Sequence, residues 1–119
     1  MVFFPTGTRA YGPAREDSDL DIVVRSDHAK ELERNLNLMG FKAYRTEIQL
    51  KQRYPGFYVD LNGLTLNIIV CANQVDMDAW QHATVSMRKL RTPIEDREKR
   101  LAKFGDFFEA YQKASDDLL

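Results

Sequence analysis

The sequence has little of several things, and each shortage excludes a class of protein. It holds one cysteine, Cys71, in 119 residues, so no disulfide can form within the chain. That thiol sits in an apolar run and reads as a buried group suited to a reducing compartment. No apolar run approaches the roughly 20 residues of a membrane-spanning helix. The opening MVFFPTG lacks a basic region and is too short in its apolar part for a signal peptide. These shortages lead to the expectation of a cytoplasmic protein with no membrane partner. Neither charge sign is in excess: 17 Lys and Arg face 18 Asp and Glu, so net charge alone does not argue for nucleic acid. Internal repeats and low-complexity tails are also missing. What is present is ordinary for a globular chain, with 44% hydrophobic and 29% charged residues. The length suits a single domain over residues 1–119 with one core.

Periodicity divides the chain. Val2 to Pro5 reads as a short strand, and Gly7 to Pro13 as a turn with one helical turn in it. Asp17 to Arg25 alternates, with Leu20, Ile22 and Val24 facing one way and Asp19, Asp21 and Val23 the other, which predicts a strand. Ala29, Leu32, Leu36 and Met39 predict a helix from Asp27 to Met39, capped by Ser26 or Asp27 and stopped by Gly40. Phe41 to Ile48 is extended. Gly56 to Cys71 reads as a hairpin about Asn62-Gly63, because both turn residues must adopt positive φ. Gln74 to about Arg91 is helical, with Trp80, Thr84 and Met87 on one stripe. Thr92 to Glu95 has the form of a capping box with proline at the first helical position. The helix it opens carries Leu101, Phe104, Phe108 and Tyr111 on one face, and the SDDLL tail is expected to fray. The expected fold class is α/β (α+β): a small mixed sheet with helices mainly on one face.

Asp19 and Asp21 are the first candidate site. Residues i and i+2 of a strand project the same way, which sets their Cβ atoms roughly 6–7 Å apart. Two unpaired carboxylates this close repel, and one tends to take up a proton. A divalent cation removes the conflict; magnesium is commonly held by one or two carboxylates plus substrate phosphates. The plainer reading is a charged outer face of an edge strand. Gly7-Thr8-Arg9 lies just upstream, after a strand and at the start of a helical turn. Such a turn offers backbone N–H groups to an anion. Gly7 permits close backbone approach, Thr8 adds a hydroxyl, and Arg9 adds charge. A phosphate cradle beside a cation site suggests a metal-bound nucleoside triphosphate, although Gly7 also fits a plain tight turn.

Gly7-Thr8, a ten-residue spacer and Asp19-Leu20-Asp21 running into Ile22-Val23-Val24 resemble the signature of the polymerase β-like nucleotidyltransferase superfamily. The wording TRAYGPAREDSDLD is similar to the minimal bacterial and phage-type members, with Thr8 in place of the commoner serine. The resemblance implies nucleotidyl transfer: two Mg2+ (or Mn2+) ions, attack of an acceptor hydroxyl on the α-phosphate of a nucleoside triphosphate, and release of pyrophosphate. It implies Asp19 and Asp21 as metal ligands and Gly7 and Thr8 as holders of the β- and γ-phosphates. The acceptor, whether RNA, protein or small molecule, is left open.

Such proteins usually carry a third carboxylate on a later strand. Here Asn67 occupies that place; an amide can coordinate magnesium through its oxygen but is no effective base. The hairpin register offers Asp60, on the same face as Asn67 and its diagonal neighbour, as a substitute. A solvated residue near the turn is the alternative for Asp60. The run from Arg88 to Lys103 holds seven basic and three acidic residues and fits either an acceptor's phosphates or a solvated helix face. Trp80 reads as core more readily than as a base-stacking group. His28 and His82 have no partner at metal-ligand spacing. Arg45, Lys51 and Arg53 flank the hairpin and suit either substrate phosphate or a surface loop. Three classes remain: an active nucleotidyltransferase, a nucleotide-binding or regulatory module of the same fold weakened by Asn67, and a metal-dependent phosphohydrolase.

Overall fold

The computed structural model describes residues 3–14, 18–49 and 53–117. Their elements run β1 (Phe3–Thr6), α1 (Thr8–Tyr11), β2 (Leu20–Arg25), α2 (Ser26–Leu38), β3 (Ala43–Gln49), β4 (Arg53–Leu61), β5 (Leu64–Cys71), α3 (Gln74–Arg88) and α4 (Arg97–Asp117). The five strands form one sheet in the order β1-β2-β5-β4-β3. Only β2 and β5 pair in parallel; the other neighbours are antiparallel. A parallel pair needs a long crossover, and here α2, β3 and β4 supply it.

Alternation along the strands builds two apolar layers. Ile22, Val24, Phe57, Val59, Leu66 and Ile68 meet Ala29 and Leu36 of α2 on one side. Val23, Tyr54, Ile69 and Cys71 meet Met77, Trp80, Met87, Phe104 and Phe108 of α3 and α4 on the other. With α1 against α3, most of the helices lie on that second side, as expected. No helix among the described residues is long and apolar enough to cross a membrane.

Local chemistry accounts for most boundaries. Asn62 and Gly63 take φ of 53° and 99°, and β4 and β5 pair from Leu61↔Leu64 in the predicted register. Gly40, at φ 93°, ends α2: its N–H donates to the Asn37 carbonyl and that of Phe41 to Leu36, a Schellman closure. Asn73 caps α3 by accepting the Asp76 N–H at 2.9 Å.

Five expectations are corrected. Helix α2 starts at Ser26, not Asp27, with Arg25 at the cap position; its guanidinium holds Asp27 at 2.7 Å instead of a side chain capping the helix. Helix α3 stops at Arg88 rather than Arg91. The Thr92–Glu95 box caps nothing. Helix α4 begins at Arg97, and Asp96 Oδ1 accepts the Lys99 N–H at 3.0 Å, so a second acid-first signal downstream wins. The covered stripe of α4 is shifted toward Phe107, which leaves Leu101 on the rim at 47% exposure. Of the SDDLL tail, Ser115 to Asp117 is helical. The expected strand starts at Val2 and Asp17, the end of the tail and Lys51 lie outside the described residues.

Candidate active site

Strand register lines up one row across the sheet: Thr6, Asp21, Asn67, Tyr58 and Tyr44 are successive partners on β1, β2, β5, β4 and β3. All five share the face that α3 and α4 cover elsewhere. Those helices pack over the other end of the strands, on Val23, Ile69 and Tyr54, so the part of the row from Asp21 to Tyr44 is open.

Asn67 joins the two aspartates. Its Nδ2 donates to Asp19 Oδ2 and to Asp21 Oδ1, both at 3.0 Å. Ionised carboxylates only accept, so the amide must present its nitrogen, and one NH2 group uses both protons here. Asp19 is exposed just before β2, whereas Asp21 is half-buried. Burial raises the Asp21 pKa above the ordinary carboxylate value; the Asn67 hydrogen bond opposes this and the Asp19 charge adds to it. The two carboxylates thus converge on a single polar group. Among the described residues no three His, Cys, Asp or Glu side chains gather as a metal cluster. Asp60, on the same face one step along, has its Oδ1 accepting the Gly63 N–H at 3.1 Å and is engaged at the hairpin turn.

Gly7 lies against this pair. Its φ of 73° suits glycine, and a Cβ there would run into the Asp21 carboxylate. The missing side chain therefore makes room for Asp21 as well as for any phosphate. Thr8 and Arg9 open α1, where first-turn N–H groups have no carbonyl a turn below. Arg9 Nε donates to the Ser18 carbonyl at 2.6 Å, which ties the turn to the residue before Asp19. The turn is also held from behind. Thr84 donates its hydroxyl proton to the Trp80 carbonyl at 2.8 Å, so Thr6 must be the donor in the buried 2.7 Å contact between the Thr6 and Thr84 hydroxyls.

The remaining candidates sort by position. Trp80 and Met87 are buried among Tyr54, Phe104 and Phe108, which is the core reading. The Arg88–Lys103 run spans the end of α3, a linker and the start of α4, so it is not one helix face. From it, Arg100 donates to the Ile94 and Glu95 carbonyls and also acts on Tyr11. Burial raises the Tyr11 hydroxyl pKa; the Arg100 charge opposes this and the Asp21 charge adds to it, so Tyr11 feels both charges. Arg45 meets Glu33 and Arg53 meets Glu47, at 3.7 and 3.4 Å. The hairpin register already sets Tyr58 opposite Asn67, as found; sequence reasoning missed Tyr11, which lies inside the Gly7–Asp21 motif, and Tyr44, whose place in the row depends on the β3–β4 register.

A solved structure of the Cid1 poly(U) polymerase shares this architecture, with a TM-score of 0.52 over 72% of the chain. The fold is nucleotidyltransferase-like. At 19% identity the likeness is one of fold, and the chain matches 27% of the length of that polymerase. No family model matches the sequence, and no curated protein matches it. Within this fold, Asp19 and Asp21 stand at the open end of β2, beside the turn at Gly7.

Proposed function

We propose that the chain binds a metal–nucleoside triphosphate at Asp19 and Asp21 and transfers the nucleoside monophosphate to an acceptor hydroxyl. The observation that carries this reading is the convergence of both carboxylates on the Asn67 amide beside the Gly7 turn. The residues fit a divalent cation: two carboxylate oxygens already meet at one point, and a half-turn of the Asn67 amide exchanges its nitrogen for an oxygen ligand. Magnesium or manganese, when bound, would supply charge neutralisation at the attacking and leaving oxygens. Gly7, Thr8 and Arg9 would offer backbone N–H groups, a hydroxyl and a guanidinium to the phosphates. Asn67 would orient Asp19 and Asp21 and neutralise none of their charge.

The same amide favours a second reading. With Asn67 where a carboxylate base is expected, the chain can bind nucleotide with little or no transfer. One experiment addresses both. Wild type and Asp19→Ala/Asp21→Ala are titrated with Mg2+-ATP and then incubated with labelled nucleoside triphosphates, Mn2+ or Mg2+, and cellular RNA and protein. Binding and label transfer that both vanish in the variant support the enzyme. Binding without transfer in wild type supports the module. Equal nucleotide affinity in both proteins removes the aspartates from the site.

A further inference from the structure

The open row does not end at the aspartates. Beyond Asn67 it continues through Tyr58 and Tyr44, whose rings stack with centroids 5.1 Å apart and planes 19° from parallel. That separation is close to the spacing of neighbouring strands, so the rings stand on edge across the row. The Lys42 ammonium lies 5.2 Å from the Tyr44 ring centroid, which places a cation at the outer end. Both rings are exposed, Tyr44 at 42% and Tyr58 at 36%. A stacked pair of this kind stabilises a sheet by itself. Its position relative to the site is what calls for more.

In-line displacement puts the attacking and leaving oxygens on opposite sides of the reacting phosphorus. On the reading proposed above, the triphosphate leans on Gly7 and Thr8, at the β1 side of Asp21. The acceptor must then approach from the β5 and β4 side, over Asn67. Asn67 is short and part-buried while the Tyr58 ring is exposed, so the ring stands higher than its neighbour in the row. From this the geometry points to Tyr58, backed by Tyr44 and Lys42, as the stacking platform for the terminal base of a single-stranded nucleic-acid acceptor. Stacking needs a planar base that is not already paired inside a duplex, and it tolerates any of the bases. The platform needs no excess of positive charge over the whole chain, because the ring supplies the contact. This inference rests on the nucleotidyl-transfer reading for its direction of approach.

The test uses a short fluorescein-labelled single-stranded RNA of mixed sequence, its duplex form, and anisotropy without nucleotide. Tyr58→Ile keeps a sheet-forming residue and removes the ring, while Tyr58→Phe keeps the ring. Tyr58→Ile should weaken single-strand binding about 5- to 100-fold and Tyr58→Phe by less than about 2-fold, with the duplex bound more weakly than the single strand. In wild type the Tyr58 ring-proton resonances should move upfield as RNA is added. Unchanged binding in Tyr58→Ile, an equal loss in Tyr58→Phe, duplex bound as tightly as single strand, or unmoved Tyr58 resonances would each overturn the platform. Mg2+-ATP affinity of the same proteins separates the two ideas. RNA binding that follows the ring without any nucleotide binding leaves the platform and removes nucleotidyl transfer. Transfer that proceeds while RNA binding ignores the ring removes the platform alone.

Discussion

A single side chain, Asn67, sets the character of the site. It gives one proton to each aspartate, so it relieves their repulsion without adding a base. Asn67→Asp replaces both hydrogen bonds by a third negative charge. The variant should be less stable without divalent ions and should bind them more tightly. If the wild type is an enzyme limited by a missing base, transfer should rise on the order of 10²–10⁴-fold; labelled-nucleotide transfer beside an ion titration measures both effects. Asp21 bears a cost of its own. Its pKa is raised in the fold, so the folded state holds the proton more tightly than the unfolded chain. Below the ordinary carboxylate range both states are protonated and nothing is lost. As pH rises through the raised value, the fold alone carries the burial penalty. Asp21→Asn keeps an oxygen to accept from Asn67 and should therefore be more stable than wild type at pH 7, with the gap closing as pH falls toward 4. Urea unfolding across that range checks the sign. Gly7→Ala, by contrast, should cost more than about 1 kcal/mol and disturb Asp21 directly, since its Cβ meets that carboxylate at a positive φ.

At the scale of elements, the buried hydroxyl pair ties β1 to α3. Thr84→Val leaves the Thr6 hydroxyl without its acceptor and should cost about 1–3 kcal/mol, whereas Thr6→Val/Thr84→Val removes both groups and should recover part of that loss in a double-mutant cycle. The start of α4 gives a sharper contrast. Asp96→Ala should cost about 0.5–2 kcal/mol in denaturant unfolding, and Thr92→Ala should stay within about 0.5 kcal/mol. These two positions also show what a sequence can carry. Thr92-Pro93-Ile94-Glu95 and Asp96-Arg97-Glu98-Lys99 both have helix-start chemistry, and local rules do not rank them; the packing of Phe104 and Phe108 does. The hairpin was legible because Asn62-Gly63 forces one turn and hence one register. Asp19, Asp21 and Asn67 were legible as a shared face because side chains alternate strictly. The Tyr44–Tyr58 stack was not, because nothing local sets the register of β3 on β4.

Across the whole molecule, the sheet divides its labour along the strands. One end is buried under α3 and α4 and supplies stability through Val23, Ile69, Tyr54 and Trp80. The other end is left open and gathers the Asp19 and Asp21 carboxylates, acceptor-only when ionised, around one amide. On the proposed reading, a cation and phosphates bind the folded site and not the unfolded chain, so the fold should gain stability when they arrive. The ion alone must displace the Asn67 hydrogen bonds and has two carboxylates to replace them, so its effect should be small. With a non-hydrolysable nucleoside triphosphate supplying further oxygens, the gain at a hundredfold excess over Kd is about 2.7 kcal/mol. For a chain of this length that raises Tm by on the order of 10 °C. Thermal unfolding with Mn2+, with the nucleotide and with both should therefore show a large shift only for the pair. Asp21→Asn should start from a higher Tm at pH 7 and gain almost nothing from the pair. A variant that gains as much as wild type would place the nucleotide elsewhere on the molecule.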